Sequence, residues 1–316
     1  MSRLFRDVDR APRAPQGRVV CIGAFDGLHL GHQALVRRAV SRARELGVRA
    51  AAVTFDPLPR EVFARGSVPP RLMSTRRRVE GLFELGIDDV ALLRFDPRLS
   101  GMSAEDFVAR VLVDGLQARD VWVGPDFRFG RARGGDLELL RREGATRGFG
   151  AGEIEPVDAG ADRVSSTRIR QALADGDFEF AARLLGRPYD IAGRVVRGKQ
   201  LGRTLGYPTA NLRLPRGTPP LAGIFATRVH GLSPAPLAAV SSLGTRPTVG
   251  GIEPLLETHI FDFDADIYTR RIRIEFVAKL RDELKFDGLD ALVAQMDRDS
   301  EQARRILAPM NTRRTA

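Results

Sequence analysis

Short apolar strands alternate with helical periodicities between Arg18 and about Phe149, and this alternation constrains the fold more than any other feature of the sequence. Apolar residues recur at helical spacing between the strands, and Ser74 and Ser103 stand where they can cap two of the helices. Runs rich in β-branched residues predict strands at 18–23, 48–55, 89–95 and 120–124. Such an order is typical of a parallel sheet covered by helices, so we expect an α/β domain.

The helical periodicity of the sequence gives way to period-two alternation after Gly186-Arg187-Pro188, where we expect a domain boundary. Strands at about 189–196, 223–230 and 271–279 then alternate in period two between Gly and Pro turns, which predicts an antiparallel barrel or sandwich. A last helix over 289–307 should pack on that β domain through Leu289, Leu292, Val293, Met296, Ala303, Ile306 and Leu307.

Length and cysteine content favour a two-domain protein of a reducing compartment. The 316 residues predict a flexible segment at 1–17, domains at 18–185 and 186–308, and a flexible tail at 309–316. Cys21 is the only cysteine, so no intrachain disulfide can form and we expect the cytoplasm. The sequence has no apolar leader in its first sixteen residues and no run of about 18 apolar residues, so we expect neither export nor a membrane span.

The net charge is +10, from 50 Lys and Arg residues against 40 Asp and Glu residues. A strongly basic chain can bind nucleic acid, because Lys and Arg neutralise phosphates. Here the basic residues are scattered, and a short run such as Arg76–Arg78 lies in a helical pattern, where it indicates a solvated face. Charge alone therefore favours anionic small ligands as much as nucleic acid.

The stretch Gly23-Ala-Phe-Asp-Gly-Leu-His-Leu-Gly-His32 follows a strand and opens a helix, a place where backbone amides and the helix dipole favour an anion. Gly31 lets a ligand approach the backbone, while His29 and His32, three residues apart, face the same side and suit a triphosphate. A zinc site would need a third protein ligand, and no Cys or further His lies nearby in the sequence. Two surface histidines without a function are the alternative interpretation.

A second glycine-rich stretch, Gly193–Asn211, has neither a Walker A motif nor the glycine-rich loop of protein kinases. Its glycines allow a tight turn that can fold over phosphates. Thr209 and Asn211 carry oxygens of the kind that Mg²⁺ prefers, although in isolation they are typical turn residues. Further along, a strand over 256–262 places Glu257 on the same face as His259.

Together these motifs resemble the prokaryotic bifunctional riboflavin kinase/FAD synthetase family over roughly residues 18–308. The resemblance implies a Rossmann-like nucleotidyltransferase domain followed by an antiparallel β-barrel kinase domain with a terminal helix. It implies that ATP and Mg²⁺ serve two reactions, phosphorylation of riboflavin to FMN and adenylylation of FMN to FAD with release of pyrophosphate. The expected partners are these small molecules, with no nucleic acid and no membrane, and the oligomeric state stays open.

In the first domain the resemblance implies that His29 and His32 steady the α- and β-phosphates of ATP. Ser165-Ser-Thr-Arg-Ile-Arg170 resembles a second phosphate motif, and hydroxyls followed by arginines suit phosphates, although alone the segment reads as an ordinary N-cap. Val123–Gly130 resembles a nucleotide and flavin segment, and a packed loop around Phe127 and Phe129 is its alternative. The binding residues implied for this domain are Gly23, Phe25, Asp26, Gly27, Gly31, Asp126, Ser166, Thr167 and Arg170.

In the second domain the resemblance implies that Thr209 and Asn211 bind the metal. Glu257 matches the catalytic base that takes the proton of the ribityl hydroxyl as its oxygen attacks the γ-phosphate; without that match it would be a salt-bridged strand residue. The binding residues implied here are Gly198, Lys199, Gly202, Arg203, Gly206 and Arg281.

The sequence departs from the family pattern at three positions. Leu58 replaces the usual His in Thr54-Phe-Asp-Pro-Leu-Pro59, Ser242 stands where Asn is common, and Thr269 stands where Gly is usual. Two other functions stay open at this point. One is a riboflavin kinase joined to a nucleotidyltransferase of another specificity, and the other is a flavin- or RNA-binding regulator without turnover.

Overall fold

The chain folds into two compact units, residues 1–69 with 73–166, and residues 70–72 with 167–316. The computed structural model describes residues 2–198, 206–214, 219–248 and 251–308. The division differs from the boundary expected at 186, because residues 167–185 pack with the second unit. Phe178 contacts the rings of Phe225 and Phe276 at centroid distances of 5.9 and 6.1 Å. The tail expected at 309–316 lies outside the described residues.

A parallel sheet forms the centre of the first unit, as predicted. Within residues 2–166 its six strands run in the order β1-β4-β3-β2-β5-β6, and every neighbouring pair is parallel. They are β1 (Arg3–Phe5), β2 (Arg18–Ile22), β3 (Arg49–Phe55), β4 (Asp89–Leu93), β5 (Ala118–Val123) and β6 (Gly150–Glu153). A short antiparallel pair follows, β7 (Asp158–Ala159) with β8 (Asp162–Arg163).

Helices connect these strands and cover the sheet. They are α1 (Leu30–Leu46), α2 (Pro59–Val62), α3 (Thr75–Glu84), α4 (Pro97–Ser100), α5 (Ala104–Asp106) with the π-helical turn Phe107–Gly115, a 3₁₀ turn at Arg131–Arg133, and α6 (Leu137–Arg147). The expected caps are present, since the Ser74 and Ser103 hydroxyls accept hydrogen bonds from the third residue beyond each. Two apolar clusters, one on each face of the sheet, form the core.

The first residues differ from the flexible segment expected at 1–17. Arg3–Phe5 pairs with Asp89–Ala91 as a parallel edge strand, and Phe5 is buried in the core. A three-residue strand is too short to show a period in the sequence, which is why it was not predicted.

A buried ion network lies where β2, β3 and β4 begin. Arg18 and Asp89 are both fully buried, and Arg18 Nε donates to Asp89 Oδ2 at 2.8 Å. The Arg18 guanidinium also donates to the carbonyls of Leu116 and Pro12. Arg49 completes the network, with its Nη2 at 2.7 Å from Asp89 Oδ1. Burial alone would raise the pKa of Asp89, but the hydrogen bonds from Arg49 and Arg18 hold that pKa below its usual value.

The second unit contains a closed antiparallel barrel, which settles the choice between barrel and sandwich. Within the described residues its strand order is β10-β13-β12-β11-β14-β9. The strands are β9 (Asp190–Val196), β10 (Ala210–Arg213), β11 (Gly223–His230), β12 (Leu237–Thr248), β13 (Gly251–Ile260) and β14 (Arg271–Arg281). Helices α7 (Ser166–Asp175) and α8 (Phe178–Leu185) precede the barrel, and α9 (Leu289–Leu307) follows it.

Helix α9 packs on the barrel through part of the face that the sequence predicted. Ala303 and Leu307 are buried against Ala226 and Phe261. Leu289 and Ile306, by contrast, are 65% and 39% exposed, so the prediction was wrong for these two residues. The helix buries its middle and end, whereas Leu289 is its first residue.

Thr269 lies in the left-handed region with φ +65°, which explains why a glycine suits this position. Its N–H donates to the carbonyl of Val195 at 3.0 Å, and its own carbonyl accepts from Arg194 at 3.2 Å, so the backbone is held there. We expect Thr269→Gly to stabilise the second unit by about 1 kcal/mol, because it removes the contact between Cβ and the carbonyl oxygen. Thermal unfolding followed by circular dichroism measures this, and Thr269→Ala, which keeps the Cβ, should give little of the gain.

Candidate functional sites

The loop with the two histidines lies at the switch point of the parallel sheet. Strand β2 stands between β3 and β5, so the connections from its two sides leave in opposite directions. In open α/β sheets the crevice beyond the carboxyl ends of the strands at such a point receives ligands. Residues 23–29 follow the carboxyl end of β2, and α1 begins at Leu30.

The two imidazoles are stacked. Their ring centroids are 3.6 Å apart at an interplanar angle of 17°, and the ring of Phe25 meets His32 edge-on at 5.4 Å. His29 is the N-cap of α1, and its Nδ1 accepts a hydrogen bond from the His32 N–H at 3.3 Å. An accepting Nδ1 places the ring N–H of a neutral His29 at Nε2.

His32 is a neutral imidazole at neutral pH. Burial lowers its pKa well below the usual value, and the neighbouring positive charges of Arg78 and Arg60 lower it further. Its Nδ1 is buried without a hydrogen-bond partner in the described structure. His32 therefore offers one free ring nitrogen beside the start of α1 without contributing a full positive charge.

Glycines allow the close packing of this loop. A Cβ at Gly31 would lie 3.3 Å from the His29 ring, and one at Gly23 would lie 3.1 Å from the Phe25 ring. Gly27 has φ +88°, a conformation that suits glycine. Phe25 is fully buried in the core beneath the loop, so its ring supports His32 from the protein side.

Two arginines near the histidines, one buried and one partly exposed, were not among the predicted site residues. Arg78 was expected on a solvated helix face, but it is buried and donates to the carbonyls of Ala24 and Phe55 at 3.0 and 2.7 Å. Arg60 pairs with Asp26, a predicted binding residue. The sequence did place Arg78 next to Val79, on the buried side of α3. We interpreted Arg78 instead as part of a solvated run of three arginines.

The other predicted residues of the first unit lie on two segments. Asp126 follows β5, is well exposed, and pairs with Arg163 at 3.0 Å. In the same loop Phe129 belongs to the core and Phe127 packs against it, with ring centroids 5.5 Å apart. At the start of α7, the Ser166 hydroxyl donates to the carbonyl of Asp26 at 3.0 Å.

Two predicted phosphate residues belong to the second compact unit, and one departure is explained by packing. Thr167 and Arg170 lie in α7, and Arg170 Nε donates to the carbonyl of Pro70 at 2.7 Å. Leu58, where a histidine is usual, is fully buried as an apolar residue. Its position before α2 is therefore a packing position in this chain.

A cavity of about 550 Å³ opens beside the predicted metal residues of the barrel. Its polar lining comes from Arg197, Thr209, Asn211, Thr258, Asp264, Asp266 and Tyr268. Arg197 lies over the Tyr268 ring at 5.1 Å, which places a cation and an aromatic face at one wall. The volume and the mixed lining suit a nucleotide-sized ligand.

Asn211 carries the strongest sign of a missing ligand in the barrel. The residue is buried, and its Oδ1 has no hydrogen-bond partner in the described structure. Its Nδ2 donates to the Thr209 carbonyl at 3.3 Å, which fixes the amide with the oxygen directed away. A Cβ at Gly198 would lie 2.7 Å from the Asn211 amide, so a glycine is needed there. An unsatisfied buried acceptor costs free energy unless a ligand completes it.

Three polar residues stand in a row across neighbouring strands of the barrel. Glu257 in β13 is directly opposite Asn211 in β10 on one side and Ser242 in β12 on the other. Side chains of directly paired residues lie on the same face of a sheet. Glu257, the predicted base, is thus next to the Asn211 amide on one side. On its other side is Ser242, which stands where the family commonly has Asn.

Of the remaining predicted residues of the barrel, the structure describes Arg281 and Gly206. Arg281 forms a bidentate pair with the buried Asp299 of α9, at 3.0 Å from Nε and 2.7 Å from Nη2. This pair fastens α9 to β14. Gly206 has φ +81°. Lys199, Gly202 and Arg203 lie outside the described residues.

Comparisons with known proteins find one family match in each half of the chain. A model of the FAD synthetase family matches residues 11–168, and a model of the riboflavin kinase family matches residues 185–307. The chain is 42% identical over 303 residues to the bifunctional riboflavin kinase/FMN adenylyltransferase of Escherichia coli strain K12, covering 96% of this chain and 97% of that protein. The chain belongs to the bifunctional riboflavin kinase/FMN adenylyltransferase family.

Other members and a solved structure extend the match. The bifunctional riboflavin kinase/FMN adenylyltransferase of Pseudomonas fluorescens is 44% identical over 295 residues, covering 93% of this chain and 94% of that protein. A crystal structure described as a macrolide-efflux protein from Streptococcus pneumoniae is 32% identical, with a TM-score of 0.79 over 96% of this chain and 98% of that one. Among the helices of the described residues, none has the length and apolar character that a membrane crossing needs.

Proposed function

We propose that the chain phosphorylates riboflavin to FMN in its barrel and adenylylates FMN to FAD at the histidine loop of its parallel sheet. Family membership supports both reactions, and each unit carries one candidate site. The observation that carries the assignment is that the two families match different parts of the chain, and that each part contains a candidate site of its own.

In adenylylation the protein positions the reactants and places donors on the phosphate oxygens, since transfer of a nucleotidyl group needs little covalent help. The start of α1 supplies backbone amides, and His29 supplies an Nε2–H toward the triphosphate. A neutral His32 beside it can bind a phosphate oxygen or accept a proton without first losing one. Ser166, Thr167 and Arg170 are proposed to add phosphate contacts, as the family resemblance implies.

In the kinase reaction we propose that Glu257 takes the proton of the attacking ribityl hydroxyl. Its place beside Asn211 puts this carboxylate next to the residues proposed to face ATP. The glycines at 198, 202 and 206, together with Lys199 and Arg203, are proposed to enclose the phosphates. We propose a positioning role for Arg281, through its pair with Asp299.

Thr209 and Asn211 fit a Mg²⁺ ion. The buried, unpartnered Oδ1 of Asn211 is a hard oxygen donor of the kind that this ion prefers. Among the described residues no three His, Cys, Asp or Glu side chains come together, so protein carboxylates and imidazoles do not form a full metal cage there. A bound Mg²⁺ would neutralise phosphate charge, while Thr209 and Asn211 would fix its position.

The test is an end-product assay. Purified protein given riboflavin, ATP and Mg²⁺ should accumulate FAD, with FMN as an intermediate, and chromatography separates the three flavins. Reactions without ATP or with excess chelator are the controls. FMN as the sole end product would refute adenylylation, and unchanged riboflavin would refute the kinase assignment.

A further inference from the structure

A buried ion pair beside the histidines joins their loop to helix α2. The carboxylate of Asp26 is in a residue only 1% exposed, and its Oδ2 accepts a hydrogen bond from Arg60 Nη2 at 2.5 Å. The Arg60 side chain is itself 25% exposed, so this contact is largely shielded from solvent. A shielded pair of this kind fixes geometry more firmly than a surface pair does.

The loop that Arg60 holds has a strained backbone. Phe25 and Leu28 have φ values of +51° and +45°, in the left-handed region that large side chains avoid. Such conformations persist only where surrounding contacts hold them, and they are common at functional sites. The loop carbonyls at residues 24, 26 and 28 accept hydrogen bonds from the side chains of Thr54, Arg78, Ser166 and Gln33.

Arg60 differs from these four contacts in two ways. It binds the loop through the carboxylate of Asp26, at the centre of the strained segment, and not through a carbonyl. Its guanidinium also places a positive charge near His32, and its Nε is buried without a hydrogen-bond partner in the described structure. The pair therefore restrains the loop through a hydrogen bond, and it also places positive charge at a site suited to an anion.

We propose that Arg60 is a positioning residue of the adenylylation site, which through Asp26 holds loop 24–28, and with it His29 and His32, in the geometry that receives the triphosphate. This inference rests on the proposed FMN adenylyltransferase function. It assigns Asp26, predicted from the sequence as a binding residue, to the support of the loop.

The test compares four variants in steady-state adenylylation with FMN supplied directly. Arg60→Met and Asp26→Asn should each lower kcat/KM for ATP by about 10- to 100-fold, because small misplacements of positioning groups have effects of this size. Most of the loss should be in KM for ATP if the loop receives the triphosphate. Arg60→Lys should recover part of it. The double variant should be no worse than the more severe single variant, since both changes break one contact.

Two controls separate a local effect from misfolding. Arg76→Met removes an exposed helical pair with Glu80 in the same unit and should leave adenylylation unchanged. Riboflavin kinase activity of each variant, measured on the same preparation, should stay at the wild-type level.

Wild-type kcat and KM for ATP in Arg60→Met, or independent additive losses in the double variant, would overturn the inference. If Arg60→Met is unstable, Asp26→Asn decides alone, and an unchanged KM for ATP in a well-folded Asp26→Asn protein would overturn the inference. A wild-type protein that makes no FAD from FMN would instead refute the proposed adenylylation itself.

Discussion

Glu257→Gln is expected to slow riboflavin phosphorylation by about 10²- to 10⁴-fold, the usual contribution of a general base, while the same protein continues to convert FMN to FAD. Glutamine keeps the size of the side chain and its place opposite Asn211 and Ser242, but it cannot take the hydroxyl proton. The loss should be in kcat, with KM for riboflavin and ATP nearly unchanged, because binding contacts are kept. Initial rates with riboflavin, and separately with FMN, measure the two reactions.

The control for this prediction is Glu301→Gln on the exposed side of α9, which removes the same charge from the same unit. It should leave both rates unchanged. His32→Ala should give the reverse pattern, with adenylylation lost and phosphorylation kept. A well-folded Glu257→Gln protein that loses both activities would contradict the assignment of two separate sites, and one that keeps both would remove Glu257 from the kinase mechanism.

The sequence was most informative where a local pattern determines the structure. Helix caps at Ser74 and Ser103 depend on neighbouring residues only, and both were predicted. Stacking of His29 and His32 follows from their spacing at the start of a helix. The alternation of strands and helices similarly predicted the parallel sheet, since few topologies can satisfy it.

Features that depend on distant parts of the chain could not be predicted in this way. Arg60 and Arg78 are charged residues in short helices, and only the tertiary fold shows that both turn toward the histidine loop. The row of Asn211, Glu257 and Ser242 depends on the register of three strands, which a slip of one residue would abolish. The assignment of residues 167–185 to the second unit likewise depends on where Phe178 packs.

Arg18→Met is expected to destabilise the first unit by about 3–5 kcal/mol, the usual cost of removing one partner from a buried ion pair. The change leaves the fully buried Asp89 with Arg49 alone, and it leaves the carbonyls of Leu116 and Pro12 without their donor. Trp122, the only tryptophan, lies in β5 next to β2, so its fluorescence during urea unfolding reports on this sheet. The urea concentration at the midpoint of unfolding should fall markedly, while the m value, the dependence of the free energy of unfolding on urea concentration, should change little.

Arg49→Met is the matched control, because it removes the second partner of the same carboxylate. The Arg49 side chain is 27% exposed, so water can replace part of its interaction and the cost should be about 1 kcal/mol. If Arg18→Met lowers the free energy of unfolding no more than Arg49→Met does, then burial does not set the cost of losing a partner of Asp89.

The pH dependence of stability gives a second measurement. The folded-state pKa of Asp89 is lowered, so ionised Asp89 contributes to the free energy of unfolding above the unfolded-state pKa of about 4. This contribution is lost as pH falls through the lower folded-state pKa. As pH falls from about 4 toward that lower folded value, the stability difference between wild type and Arg18→Met should narrow, because protonated Asp89 no longer needs a cationic partner, and the part that comes from the carbonyls of Leu116 and Pro12 should remain.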